Sequence, residues 1–294
     1  MPSVSARSDV VVRPLVGADA VAADAVAFAA LRTELPAEVA ADEERLHRWG
    51  RTRIAHFAAT DPAGSWAAEQ DGDVVGLAQA MVRDGLWGLS LLAVAPGRQG
   101  QGIGARLLEA ALRCSDGAPA GLIVSSTDAR ALRRYARAGF AARPALEAAG
   151  PVNRSRIPDG LGSRPGDPDG DRDTIRRAGR ACRGSAHGRA DLRMAVDHGS
   201  VLLVLPGRGF ALHGDGAPRL LAAVDDQAAA DLLWSCLAGA SPGATVHVGP
   251  ICAGNDWALR VALDAGLSLG PTGPVFARGS AGPLRPYLPS GAFL

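Results

Sequence analysis

The fold is decided by one stretch of sequence, Leu92-Ala93-Val94-Ala95-Pro96-Gly97-Arg98-Gln99-Gly100-Gln101-Gly102-Ile103-Gly104-Ala105-Arg106-Leu107-Leu108. The apolar run that ends at Val94 predicts a buried strand, and Pro96 and Gly97 end it. Three alternating glycines follow, and apolar residues then recur at helical spacing from Ile103 onward. A glycine loop at a helix N-terminus can direct several amides at one point, so the stretch predicts a phosphate or pyrophosphate ligand.

Three known phosphate-binding loops have this general form. A Walker A loop requires a lysine, and the chain contains none. The spacing of Gly100, Gly102 and Gly104 is G-x-G-x-G, whereas a Rossmann loop has G-x-G-x-x-G. Gln99, Gly102 and Gly104 match the pattern Q/R-x-x-G-x-G/A. The stretch therefore resembles the coenzyme A loop of the GNAT superfamily of acetyltransferases.

The elements before the loop follow the order that the resemblance implies. An Asp71-Gly72 pair predicts one hairpin turn, and Asp84-Gly85 predicts a second turn into the strand before the loop. The predicted elements are a strand at 10–16, helices at 19–31 and 42–59, and strands at 65–69, 74–82 and 86–94.

A second signature lies after the loop helix. The segment 128–140 resembles the GNAT pattern N-x-x-A-x-x-x-Y-x-x-x-G-F, with Asp128 in place of the asparagine and Tyr135 at the tyrosine position. Asp128 is a good helix N-cap, and Gly139 can end the helix. The two signatures together cover about residues 10–150.

The second half of the chain repeats this organisation. Three predicted strands, a helix at 227–238 and a strand at 245–248 lead into 255–267, which aligns with the second signature. The predicted fold is therefore α+β, with two tandem GNAT-like domains, each a mixed, mostly antiparallel sheet flanked by helices. The predicted boundaries are 1–152 for the acetyl-CoA-binding domain, 153–173 for a Pro/Gly-rich linker and 174–294 for the second copy.

The second copy departs from the family pattern where the chemistry would occur. Ala262 stands in place of Tyr135, and the segment 224–227, with two aspartates, stands in place of the glycine loop. Because carboxylates would repel a pyrophosphate, we expect this copy to be degenerate and to have lost coenzyme A binding.

The resemblance implies a particular active site. Acetyl-CoA would be the co-substrate, attacked directly by an amine, without a covalent enzyme intermediate or a metal. Backbone amides of the strand would hold the pantetheine and polarise the thioester, and Tyr135 would protonate the departing sulfur as general acid. The cofactor-binding residues implied are Leu92, Ala93, Val94, Gln99, Gly100, Gln101, Gly102, Ile103, Gly104, Ala105 and Asp128.

The general base is not identified by the sequence. Many GNAT enzymes have a histidine or glutamate at the positions of Gly88 and Ser90, where this chain has neither. A water chain, a residue of the first two helices or the second domain could serve instead. The candidate side chains also have structural interpretations: His47 and His56 as packing or surface residues, Glu69 and Asp84 as surface or turn carboxylates, and Arg98 and Arg106 as phosphate partners or solvated side chains.

Composition restricts the class of protein. The chain of 294 residues is 47% hydrophobic and carries a net charge of +1, which argues against a nucleic-acid or membrane partner. The four cysteines form no C-x-x-C pair, which argues against a zinc site. No signal peptide or membrane span is predicted, so we expect a cytoplasmic protein, monomeric or homodimeric.

The leading hypothesis is an acetyl-CoA-dependent N-acetyltransferase that acts on a primary amine of a small molecule. An alternative hypothesis is a non-catalytic protein that binds acetyl-CoA as a sensor. A third is a scaffold with the same fold that binds no nucleotide.

Overall fold

The computed structural model describes residues 9–35 and 37–294 of the chain. The chain forms two compact units that are not contiguous in sequence. The first unit comprises residues up to Val82 together with Leu89–Asp116, and the second comprises Arg83–Gly88 together with Gly117–Leu294. Each unit has its own helices, strands and buried core.

The first unit contains a meander of antiparallel strands that ends at the glycine loop. Strand β1 pairs with β2, and β2 with β3, so that the strand order is β1-β2-β3-β4. Its elements are β1 (Val11–Pro14), α1 (Ala20–Leu31), α2 (Ala37–Ala40), α3 (Glu43–Thr60), β2 (Ser65–Gln70), β3 (Asp73–Arg83), β4 (Leu86–Val94) and α4 (Ile103–Leu112). The last residue of β3 and the start of β4 belong to the second unit, within Arg83–Gly88.

Helices α1 and α3 cover one face of this meander. Apolar side chains of α1 and Ile54 of α3 form one buried cluster with Leu77 of β3 and with Leu91 and Ala93 of β4. The other face is covered by α4, because a Cβ at Gly76 would contact Leu107 at 3.0 Å. The meander therefore lies between two helical layers.

The second unit holds the rest of the chain. Its elements are β5 (Ala120–Val124), α5 (Ala129–Arg137), β6 (Ala141–Pro151), β7 (Arg164–Pro165), α6 (Arg172–Arg183), α7 (Arg189–Asp197), β8 (Val201–Leu205), β9 (Gly209–Gly214), β10 (Ala217–Ala223), α8 (Asp226–Ala238), β11 (Thr245–Cys252), α9 (Asp256–Asp264), β12 (Ser268–Gly279) and β13 (Tyr287–Leu288). The predicted fold class, with helices packed on mostly antiparallel sheets, is confirmed.

The long strands β6 and β12 interleave the two sequence halves within this unit. Strand β12 pairs with both β5 and β6, and β6 pairs in turn with β11, giving the order β5-β12-β6-β11. A strand late in the chain thus completes the pairing of two early strands. The strands of the second meander form a separate sheet in the order β13-β10-β9-β8-β7.

The segment predicted as a linker, 153–173, carries more structure than its composition indicates. It contains a 3-10 turn at Arg154–Arg156 and strand β7. The Arg164 guanidinium donates two hydrogen bonds to the Asp171 carboxylate, at 2.6 and 3.1 Å, and Asp171 is buried. Ile157 and Leu161 of this segment also pack against the core of the second unit, so apolar contacts and ion pairing both hold it. Among the helices of residues 9–35 and 37–294, none is long and apolar enough to cross a membrane.

Candidate active site

The glycine loop between β4 and α4 has a backbone that requires glycine. Gly100 and Gly102 have φ angles of 79° and 82°, in the left-handed region that side chains disfavour. Gly102 is also the N-cap of α4 and supplies no side chain to cap the helix. A Cβ built at Gly100 or Gly102 would have no atom within 4 Å, so the space in front of the loop is open.

The backbone amides of this loop are available to a ligand. Within the described residues, the amides of Gly100–Gly104 have no hydrogen-bond partner, as expected at the start of a helix without a side-chain cap. The next two amides, of Ala105 and Arg106, donate to the Gly102 carbonyl at 3.0 and 3.2 Å. The loop therefore offers five consecutive amides at the positive end of the helix dipole.

The side chains of the loop support its shape. Gln99 Nε2 donates to the Val94 carbonyl at 3.0 Å, which ties the loop back to the end of β4. Ile103 is buried, and Ala93 is buried in the core of the first unit, so only their backbone groups can contact a ligand. Leu92 and Val94 are partly buried and Gln101 is exposed.

The two arginines near the loop differ in their surroundings. Arg106 donates to the Val10 carbonyl at 2.8 Å and lines a groove of about 190 Å³ together with Trp66 and Arg113. Its guanidinium is thus engaged with the edge strand. Arg98 lies in the 3-10 turn before the loop and is half-buried.

Tyr135, the predicted general acid, is buried in the second unit. Its ring packs edge-on against Phe276, with the ring centroids 5.5 Å apart. Burial raises the pKa of the Tyr135 hydroxyl to about 12, so this group stays protonated at neutral pH. Among the residues that the structure describes, none forms a hydrogen bond with this hydroxyl.

Asp128 caps the helix that carries Tyr135. Its carboxylate accepts a hydrogen bond from the Arg130 amide at 2.7 Å and pairs with the Arg130 guanidinium at 2.9 Å. The side-chain hydrogen bond from Arg130 lowers the pKa of Asp128. These contacts account for the aspartate as a cap, and its contribution to cofactor binding stays a prediction.

The carboxylates considered as general bases are held in ion pairs. Glu69 accepts a hydrogen bond from Arg13 Nε at 2.7 Å. Asp84 accepts from Arg180 Nε at 2.7 Å and from the Ala186 amide at 2.8 Å, and these bonds lower the pKa of Asp84 to about 2. The lowered pKa makes the Asp84 carboxylate a poor base at neutral pH.

The two strand positions without a catalytic side chain differ in packing. A Cβ at Gly88 would lie 2.1 Å from the Leu294 side chain, so the end of the chain fills this space. Ser90 is 6% exposed, and its hydroxyl has no partner in the described part of the chain.

The histidines of α3 have different environments. His47 Nδ1 lies 2.6 Å from the Asp24 carboxylate of α1, whereas His56 packs its ring against Phe57 with the centroids 5.2 Å apart. The sequence analysis missed Asp24. A lone acidic residue in the alanine-rich helix 20–31 was the signal that could have identified it.

The corresponding positions of the second half lack an open amide loop. Asp225 caps α8, and its carboxylate accepts from the Ala228 amide at 2.8 Å and from Arg208 at 2.6 Å. Ala262, at the tyrosine position, is fully buried. Asn255 is 1% exposed, and its side chain forms hydrogen bonds with four residues of the second unit.

Comparisons with known proteins agree with this architecture. The model of the "Acetyltransferase (GNAT) family" matches residues 29–140. A putative acetyltransferase from Pyrococcus horikoshii has the same fold over 100% of this chain and 99% of its own, with 15% identity and a TM-score of 0.77. A GCN5-related N-acetyltransferase from Sphaerobacter thermophilus is 17% identical, with a TM-score of 0.57, over 96% of this chain and 98% of its own. No curated protein matched the sequence.

The family model matches the part of the chain that contains the glycine loop. The match ends at Phe140 and includes both predicted signatures. At 15–17% identity the solved structures show the fold alone. The fold is GNAT-like over the length of the chain.

Proposed function

We propose that the protein is an acetyl-CoA-dependent N-acetyltransferase that transfers the acetyl group to a primary amine of a small molecule. The observation that carries the proposal is the run of five unpartnered amides, Gly100–Gly104, at the N-terminus of α4. Such a run is suited to the two charged phosphates of coenzyme A, because converging N–H groups and the helix dipole both favour an anion.

The proposed chemistry is direct attack of the neutral amine on the thioester. Backbone groups at Leu92, Ala93 and Val94 would hold the pantetheine arm and polarise the carbonyl. Tyr135 would donate its proton to the departing sulfur, and burial, which raises its pKa to about 12, keeps the hydroxyl protonated at neutral pH. Asp128, together with Gln99 and Ala105, would position the cofactor through the helix and loop that these residues support.

We propose that residues 1–152 bind acetyl-CoA and that 174–294, after the segment 153–173, are a degenerate tandem copy. The Asp225 carboxylate occupies the amide end of α8, where a phosphate would have to bind. Its charge would also repel the phosphate. One acetyl-CoA per chain is therefore expected.

The test is calorimetric titration of acetyl-CoA into the wild-type protein and two matched variants. Gly102→Glu adds a carboxylate at an open glycine with φ of 82°, and Gly207→Glu adds the same group at an open glycine with φ of 71° in the second half. We expect micromolar binding, about −8 kcal/mol, at one site in the wild type and in Gly207→Glu. Binding should weaken at least about 100-fold in Gly102→Glu, by bulk and charge.

Each other outcome has a defined meaning. Two sites per chain would show that the second half binds coenzyme A, against its degeneracy. Equal loss in both variants would indicate misfolding by the added charge and would remove the evidence for the loop. No binding by the wild type would overturn the enzyme hypothesis and favour a scaffold.

One observation favours the second hypothesis, a non-catalytic acetyl-CoA sensor. Strand β4 carries neither an imidazole nor a carboxylate at Gly88 and Ser90. A sensor would bind acetyl-CoA with micromolar affinity and release no free coenzyme A with any amine of a wide panel. Thiol release in the presence of one amine would exclude it.

A further inference from the structure

A buried carboxylate orients a histidine between the first two long helices. Asp24 of α1 is 4% exposed, and its Oδ2 lies 2.6 Å from His47 Nδ1 of α3. With Nδ1 protonated, the imidazole donates this hydrogen bond to the carboxylate. The hydrogen bond selects the tautomer whose other nitrogen, Nε2, has a free lone pair.

The helix α3 is built to admit this carboxylate. A Cβ placed on Gly50 would lie 2.0 Å from Asp24 Oδ1. Glycine in a helix interior costs about 1 kcal/mol relative to alanine, so this position gives up helix stability for the space that Asp24 fills. The pair therefore depends on three residues from two helices.

The imidazole ring is held but remains accessible. It packs against the Phe28 ring, with centroids 4.5 Å apart, and 26% of the His47 side chain is exposed. No described side chain forms a hydrogen bond with Nε2. A fixed imidazole with a carboxylate on Nδ1 and a free Nε2 is the arrangement of a general base.

The helices that carry the pair cover the strand proposed to hold the thioester. Ala27 of α1 and Ile54 of α3 belong to the same buried cluster as Leu91 and Ala93 of β4. Leu31, at the end of α1 and one turn beyond Phe28, packs against this cluster together with Ala95, just after β4. Helices α1 and α3 thus pack over the C-terminal half of β4.

We propose that the Asp24–His47 pair is the general base that deprotonates the acceptor amine. The proposal rests on the N-acetyltransferase function proposed above. As the amine nitrogen bonds to the thioester carbon, its proton passes to His47 Nε2, and Asp24 stabilises the imidazolium. The carbon–sulfur bond then breaks, and the thiolate takes the Tyr135 proton. Solvent returns a proton to Tyr135 and removes one from His47, so that the products are the amide and coenzyme A.

Three arginines lie near the pair. Arg51 Nε lies 3.5 Å from Asp24 Oδ2. Burial lowers the pKa of Arg53 to about 10, and the charge of Asp24 opposes this effect. Arg32 lies over the Phe28 ring and pairs with Glu43 at 3.6 Å. Asp24 is the charged group closest to the His47 imidazole, with 2.6 Å between Oδ2 and Nδ1.

The test uses variants that keep the local hydrogen bond. His47→Asn retains a donor toward Asp24 but removes Nε2, and His198→Asn is a control histidine whose Nδ1 lies 2.8 Å from the Met194 carbonyl. Thiol release from acetyl-CoA is followed with a panel that includes ethylamine, putrescine and glucosamine, from pH 6 to 9. We expect His47→Asn to lower kcat about 100-fold or more at pH 7, with an unchanged KM for acetyl-CoA.

Two further measurements separate catalysis from structure. Imidazole at tens of millimolar should restore part of the activity of His47→Ala, which a purely structural role would not allow. Gly50→Ala should lower kcat at least tenfold because it displaces Asp24. His47→Asn with kcat within twofold of wild type, or no rescue of an inactive His47→Ala, would overturn the proposal. A wild type that binds acetyl-CoA but acetylates no amine would instead overturn the enzyme function, and the base with it.

Discussion

The turns before α4 and α8 satisfy the first amides of a helix in opposite ways. Before α4, Gly102 leaves the amides of Gly100–Gly104 without a partner among the described residues. Before α8, the Asp225 carboxylate caps the helix itself and pairs with Arg208. Uncapped amides cost stability and create an anion site, whereas a capped end is stable and closed to anions. The turn before α4 thus leaves amides open to an anion, whereas the turn before α8 uses a side chain to stabilise its helix.

Asp128 begins the second signature and Asn255 begins its repeat in the second half, and the two side chains differ in exposure and in hydrogen-bond partners. Asp128 is partly exposed and bonds to the neighbouring Arg130. Asn255 is buried, donates to the Cys252 and Leu284 carbonyls and accepts from Trp257 Nε1 and the Tyr287 amide. In the second half the signature asparagine therefore joins three segments of the core.

The largest loss of stability is expected for Asn255→Asp. The substitution removes both donors and places a charged carboxylate against two carbonyl oxygens, which should cost about 3 kcal/mol or more. Asp128→Asn, the reciprocal change, should cost less than about 1 kcal/mol because the side chain is partly exposed and asparagine is also a good N-cap. Urea unfolding at pH 7 measures both values. Equal losses of unfolding free energy in the two variants would contradict the different roles of Asn255 and Asp128.

The next prediction is a loss of turnover when a tyrosine hydroxyl is removed, and it compares the two tyrosines of the chain. Tyr135→Phe should lower kcat about 100-fold, equivalent to about 2.7 kcal/mol, while acetyl-CoA affinity stays the same, because only proton donation to the sulfur is lost. Tyr287→Phe is the matched control, since this tyrosine is also buried. Steady-state kinetics with an accepted amine give the comparison. Full turnover by Tyr135→Phe would remove this tyrosine from the mechanism.

Smaller losses of stability and of acetyl-CoA affinity are expected for Gly102→Ala. Alanine at a φ of 82° costs about 1–2 kcal/mol, although no atom lies within 4 Å of the added Cβ. The strain should shift the loop and weaken acetyl-CoA binding about tenfold. Thermal unfolding and calorimetry measure the two effects. An alanine variant with wild-type affinity would mean that the amides do not need this backbone conformation.

Much of the fold could be predicted because its signals are local. The strand predicted at 86–94 coincides with β4, and the helix after the glycine loop begins at Ile103 as expected. The turns at Asp71-Gly72 and Asp84-Gly85 have the positive φ angles that these residue pairs favour. Hydrophobic periodicity, turn residues and helix caps each involve only a few neighbouring positions, so they can be recognised in a single sequence.

The parts that could not be predicted depend on contacts between distant positions. Phe276 pairs with both Ile123 and Ala142, and nothing in these apolar strands specifies the partner. The Asp24–His47 contact joins two helices at the one point where Gly50 provides space. The segment 153–173 has no apolar period, yet Ile157 and Leu161 pack against the core of the second unit and Arg164 pairs with Asp171. Residue types alone do not encode such pairings.

The smallest predicted change in stability concerns Asp225, which caps the N-terminus of α8. Asp225→Ala should destabilise the protein by about 1 kcal/mol at pH 7 through loss of the N-cap, and acetyl-CoA binding should not change. Burial raises the pKa of Asp225, but the bonds from Arg208 and the Ala228 amide outweigh it, so the folded-state pKa is lowered.

The sign of the pH dependence of this cap follows from the lowered pKa. The carboxylate contributes its full stability above the unfolded pKa of about 3.9 and loses it as the pH falls through the folded value. The stability difference between wild type and Asp225→Ala should therefore be constant from pH 7 to about 5 and shrink below about 4. Urea unfolding across this range measures it. A difference that grew on acidification would show that the charged cap does not stabilise α8, and the contrast with the open loop of α4 would then lose its physical basis.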